Sequence, residues 1–251
     1  MSKIGKAFQK RLWNRREGEE NTRLSRLEHE NPERALVEYA GLGDTAAVQR
    51  MLSAGTDPNA RVSFDITVDT ITETALCAVA SNGRAETVSA LIVGGADPDL
   101  SDDDGFTPLM GAAMNDHADA VTALAEGGAS LDGRDARDGF TALHRAARLG
   151  HSDAVRALLE AGADPAVKDH FGLRAQDMAC DQSGLAADDK TRRHGEILDI
   201  FFSVEKARRD KAAAERAARE RALDNIAVLQ KDVTPLKPLR PRRKSSPPPR
   251  R

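Results

Sequence analysis

Large aromatic side chains are scarce in this chain: one tryptophan, one tyrosine and seven phenylalanines among 251 residues. A single deep core needs bulky side chains to fill it. A chain this poor in them is expected to build thin apolar layers from Ala, Leu and Val. Long hydrophobic runs are also missing. No stretch approaches the ~20 apolar residues that cross a bilayer, so no membrane span is expected. The start, MSKIGKAFQKRLWNRR, has neither the apolar block nor the small-residue cleavage site of a secretory leader. Cysteine is limited to Cys77 and Cys180, which fit no paired framework and no metal spacing. Free thiols in a reducing, cytoplasmic setting are the expectation.

The usual chemical signatures are absent as well. The sequence contains no phosphate-cradling glycine loop, no H-E-x-x-H and no G-x-S-x-G. DPDLSDDDG, residues 97–105, has the acidity of a calcium loop but lacks the alternating acids and the distal glutamate of an EF-hand. Its aspartates read as turn residues. No catalytic residue, cofactor, metal or small-molecule substrate is expected.

Repetition is what the chain has instead. DGFTPLMGAAMNDH, residues 104–117, returns 34 residues later as DGFTALHRAARLGH. Aligned on Val48, Val88, Val121 and Val155, units succeed one another at steps of 40, 33 and 34 residues. In each of the later units a threonine (Thr74, Thr107 or Thr141) stands where a helix cap is needed, and Pro108 suits a first helical position. Leu143, Ala146 and Ala147 share one helical face, and Val155, Leu158 and Leu159 share the face of a second helix. Gly55, Gly95, Gly128 and Gly162 suit the left-handed turn that stops the second helix. The residues after each of these glycines are turn formers without helical period. Such a helix–turn–helix–loop unit cannot bury its apolar face alone, but neighbours in a stack can.

With T-x-L-H, A-A, G-H, V, L-L and G-A-D all present between Asp138 and Pro165, the units resemble ankyrin repeats. The resemblance implies an all-α repeat solenoid, with β-hairpin fingers along one edge. Four clear units near 31–59, 72–100, 104–132 and 138–166 and a stretched fifth at 169–202 make up a domain of residues 31–202. Arg34 stands at the threonine position of the first unit. Val37, Cys77 and Met110 replace His144 in the other units, which implies fewer hydrogen bonds between repeats. The insertion at 60–73 has the alternation of a strand in Val62, Phe64, Ile66 and Val68. A longer hairpin, a flap over the groove and a tolerated surface insertion are its open readings.

The resemblance also implies function: a non-enzymatic adaptor or scaffold that binds another protein. Family members meet partners at the finger tips and along the exposed side of the first helix. Here those positions are Asp103, Asp104, Phe106, Met114 and Asn115 in the third unit, and Arg137, Asp138, Phe140, Arg148 and Leu149 in the fourth. Phe106 and Phe140 stand out as anchors, because scarce aromatics at partly open positions carry interface energy; packing between neighbouring fingers is the competing reading. Asp99, Asp102, Asp103 and Asp104 make a negative patch suited to a basic partner.

Basic arms flank the repeats. Residues 1–30 place Ile4, Phe8 and Leu12 four apart among lysines and arginines, a short amphipathic helix that could pack on the first repeat, touch an anionic membrane or address an organelle. Residues 203–230 are rich in Ala, Arg and Glu and read as a solvated helix. The tail, 231–251, is Pro/Arg-rich and expected to be disordered. Its PLKPLR and PLRPRR match the proline patterns taken by SH3-type modules, and its charge suits phosphates or a nuclear address. A peripheral membrane or nucleic-acid tether acting through these arms is therefore the alternative function.

Overall fold

The computed structural model describes residues 17–66, 69–102, 105–179 and 187–231. Residues through Glu205 form one compact unit and those from Lys206 a second. The N-terminal Ile4, Phe8 and Leu12 and the proline-rich tail after Lys231 lie outside the described residues.

Helix pairs build the first unit. Helix α1 (Glu17–Glu30) precedes α2 (Pro32–Leu42) and α3 (Thr45–Ser53). A hairpin of β1 (Val62–Ile66) and β2 (Asp69–Glu73) comes next, then the pairs α4 (Ala75–Ser81) with α5 (Ala85–Val93), α6 (Pro108–Met114) with α7 (Ala118–Glu126), and α8 (Ala142–Leu149) with α9 (Ser152–Ala161). A 3-10 turn (Ala175–Met178) and α10 (Ala187–Lys231) end the series. First helices pack in order, α2 on α4 on α6 on α8, and second helices likewise, α3 on α5 on α7 on α9. This is the stacked, mostly helical architecture expected from the period.

The sequence explains each unit. Thr74, Thr107 and Thr141 accept hydrogen bonds from the backbone N–H groups of Cys77, Met110 and His144, satisfying donors that the first helical turn leaves open. Val48, Val88, Val121 and Val155 are each 0 % exposed. They form one seam through four units, each burial contributing roughly 1.5–3 kcal/mol. Gly162 closes α9 at φ 117, a left-handed conformation in which a Cβ is costly.

The fingers are sewn to one another by side chains. Asn59 Oδ1 accepts from the Asp97 N–H at 2.7 Å, Asp99 from Ser130 at 2.7 Å, and Asp132 from Asp164 at 2.9 Å. Between residues 97 and 105 the described carboxylates of Asp97, Asp99 and Asp102 all accept backbone N–H bonds. That is turn chemistry.

The structure departs from the sequence reading in four places. The first unit does not lack a cap, because its helix starts three residues earlier: Pro32 opens α2 and Asn31 Oδ1 accepts from the Arg34 N–H. A boundary at residue 31 cuts away α1, which packs on α2 through buried Leu24, a 2.6 Å bond from Arg23 to Glu38 and another from the Tyr39 hydroxyl to Glu28. The helix expected over 203–230 starts earlier, because α10 runs from Ala187 to Lys231, while the first compact unit ends at Glu205. Ile197, Ile200 and Phe201 on it are buried. Finally, the only strand pair among the described residues is the antiparallel β1–β2, with Val62 opposite Glu73 and Phe64 opposite Ile71. The later fingers close by short backbone contacts instead, from the N–H of Asp102 to the Phe106 carbonyl, of Asp135 to Phe140 and of Asp169 to Leu173, the last beside an isolated Lys168–Arg174 bridge.

Candidate interaction surface

First helices and finger bases share one face, and its chemistry centres on a clamp in the fourth unit. Asp135, in the finger, accepts from the N–H groups of Asp138 at 2.8 Å and Gly139 at 3.0 Å. Its second oxygen takes Arg145 Nη2 at 2.5 Å. Burial works against this carboxylate. The Asp138 N–H and the Arg145 guanidinium outweigh that effect and hold it below the usual carboxylate range. Arg145 lies 5.0 Å from the ring centre of Phe106 and 5.8 Å from that of Phe140, and donates to Met114 Sδ at 3.6 Å. Arg148 covers Phe140 at 5.1 Å.

Phe140 is therefore a correction. It is only 3 % exposed and stacks parallel to His144 with ring centres 5.8 Å apart. The finger folds it against α8, so it packs rather than presents itself to a partner. Phe106 is half-buried under Arg145 and keeps an open edge. Met114, Asn115, Asp138, Arg148 and Leu149 are half-buried and Arg137 is exposed. The Asn115 amide is occupied, donating to the Gly111 carbonyl at 2.9 Å. Asp103 and Asp104 lie outside the described residues.

His144 and His151 tie neighbouring units together. His144 Nδ1 meets Thr141 Oγ1 at 2.8 Å and Nε2 meets the Leu173 carbonyl of the next finger at 3.1 Å. His151 Nε2 meets the Met114 carbonyl at 3.1 Å. Burial lowers both imidazoles below their ordinary value. In the second unit Cys77 takes the place of His144 and offers only a weak 3.9 Å contact to the Leu100 carbonyl. Burial pushes its thiol up to about 12, away from the reactive thiolate form. No group of His, Cys, Asp and Glu among the described residues could hold a metal ion.

Three features escape the sequence reading. Glu73, one residue before the capping Thr74, is 8 % exposed, and its carboxyl makes no hydrogen bond or ion pair with a described residue. Asp169 repeats Asp135 one unit later, but Met178 stands where Arg145 would be, and Asp169 Oδ2 is buried without a hydrogen-bond partner among the described residues. Away from this face, an open cleft of about 810 Å³ between α7 and α9 is lined by Asp116, Asp119, Glu126, Asp153 and Glu160 with Arg156.

The family model for ankyrin repeats (3 copies) matches residues 36–135 and 76–169, together more than half of the chain. The chain belongs to the ankyrin-repeat family. No curated protein matches it. Ankyrin repeats generally mediate protein–protein interactions, and their domains are typically non-enzymatic. Among the described residues no helix is long and apolar enough to cross a membrane.

Proposed function

We propose that this ankyrin-repeat protein is a non-enzymatic adaptor or scaffold, acting in the cytoplasm, that docks a partner protein on the face formed by its first helices and finger bases. The observation that carries this reading is the series Phe106, Met114, Arg148 and Leu149, four half-buried side chains on two successive units. They offer apolar contact and fixed positive charge at the edge of a buried seam, the composition of an interface centre. Arg137, exposed on the finger, and Asp138 extend the surface toward the tip. Asp103 and Asp104 belong to the same finger edge by sequence position.

The test uses the full chain. Proteins cross-linked to it in cell extract are compared for the wild type and an Arg148→Glu, Met114→Ala double variant. A partner lost from the variant, with the melting temperature held, supports docking here. Full retention of every partner sinks the reading, and retention that disappears when residues 232–251 are removed points to the tail instead.

A further inference from the structure

A plug is missing from a repeated joint at the cleft between α7 and α9. Leu52 of α3 leans over Gly94 at the end of α5, its Cδ1 2.5 Å from where a Cβ on Gly94 would stand. Ile92 of α5 does the same over Gly127 at the end of α7, at 2.4 Å. Each joint is one large apolar side chain and one glycine that makes room for it. In this register the next pair is Ala125 of α7 and Ala161 of α9. Neither fills the joint, and both line the open cleft of about 810 Å³ together with Ala118 and Ala157.

Carboxylates ring this apolar gap. Asp119, Glu126, Asp153 and Glu160 are exposed around it, and none makes a side-chain hydrogen bond or ion pair with a described residue. Arg156 and His117 are the basic residues of the lining. Such a cleft fits a segment that carries apolar side chains among lysines and arginines. Residues 1–16 are one: they set Ile4, Phe8 and Leu12 among six cations and hold no acid. The tail after Lys231 is basic too, but prolines interrupt its apolar residues. Helix α1 turns back on α2 at Asn31 and meets Glu38 through Arg23, so the chain before Glu17 departs from the end of α2 that leads into α3. At that same end of the next two units stand Gly83, Asp116 and His117, which line the cleft. Neighbouring helices lie about 8–10 Å apart, and a segment of this length spans up to roughly 50 Å when extended.

We propose that residues 1–16 dock in the α7–α9 cleft of their own chain, an apolar side chain of the Ile4, Phe8 and Leu12 series taking the place that Ile92 fills one unit earlier, with the lysines and arginines facing the carboxylate rim. The apolar plug fixes the site, and the charges around it, open to water, make the docking sensitive to salt. The cleft belongs to the second helices and is separate from the partner-docking face.

Trp13, the chain's single tryptophan, belongs to this segment and reports on it. Acrylamide quenching of its fluorescence is compared between the full-length protein and a free peptide of residues 1–16. Docking predicts a smaller quenching constant in the protein. Ala125→Ile combined with Ala161→Gly rebuilds the Ile92–Gly127 joint, and should raise the constant to the peptide's value while the melting temperature holds. If that variant fails to fold, Asp119→Lys with Glu160→Lys, both on the exposed rim, should release Trp13 in the same way. Glu86→Lys, on α5 and outside the cleft lining, should leave it protected. A Trp13 as open in the protein as in the peptide overturns the proposal. Protection that survives both cleft variants does so too, and places the segment elsewhere, such as on the first repeat. An equal release by Glu86→Lys would reduce the effect to overall charge and also overturn it. Exposure of Trp13 on dilution would make the segment of a second copy the occupant, against docking within one chain.

Discussion

Arg145 donates to Asp135 across 2.5 Å while its guanidinium rests 5.0 Å from the ring of Phe106, a residue of the preceding unit. One side chain thus ties a finger to its own helix and to the neighbouring repeat. Asp135→Ala removes the acceptor of Arg145 and of two backbone N–H groups. A loss of about 3 kcal/mol is expected in urea titration at pH 7, because a partly buried guanidinium is left unpaired. The native carboxylate is held below its ordinary value. Its contribution is therefore full above the unfolded value near 3.8 and is lost as pH falls through the lower folded value. The variant should lose less stability over that acid window than the wild type.

Glu73 has the opposite sign. Burial pushes its carboxyl up to about 7 from an ordinary 4.5. The unfolded chain releases this proton above 4.5 while the fold keeps it, so stability falls as pH rises through this window and levels off above 7. At roughly 1.36 kcal/mol per unit the loss is on the order of 3 kcal/mol. Glu73→Gln should match the wild type at pH 4 and melt later at pH 8.

Stability and binding separate at neighbouring positions. Phe140→Ala empties a buried ring site and is expected to cost about 3–5 kcal/mol. Arg148→Glu reverses a charge at the open edge, and its stability cost should stay within about 1 kcal/mol, while partner affinity falls. Equal effects of the two substitutions on both denaturation and binding would contradict this division.

The N-terminal helix has a spectroscopic reporter. Tyr39 is the chain's single tyrosine, and burial together with its 2.6 Å bond to Glu28 pushes its hydroxyl up to about 12. Glu28→Gln should lower the ultraviolet titration midpoint only in part, because burial, the larger cause, remains. An unmoved midpoint would show that α1 does not hold Tyr39 in solution.

The helix pairs, the threonine caps and the valine seam are legible because each recurs as a residue identity at a fixed step. Features outside the repeat leave weaker marks. Helix α1 obeys no unit pattern, and only Leu24 and Leu27, three apart, signal its packed face. The repeat template points to residue 34 for the cap of α2, whereas Asn31-Pro32 is a stronger local start signal. The scarcity of aromatics favours an open Phe140. Its neighbours at helical spacing, His144 and Arg148, are the sign that it is covered. Glu73 is readable in principle, as a carboxyl in a column whose next two members are Phe106 and Phe140.

The stitches between fingers make the units interchangeable at their seams. Asn59, Asp99 and Asp132 each present an oxygen to the same kind of backbone donor one unit later. Excising the 33 residues from 100 to 132 would bring Asp99 up to the segment that Asp132 now serves, ready to accept from Asp164. A chain joined in this way can gain or lose a whole layer and keep its finger-to-finger stitches in register.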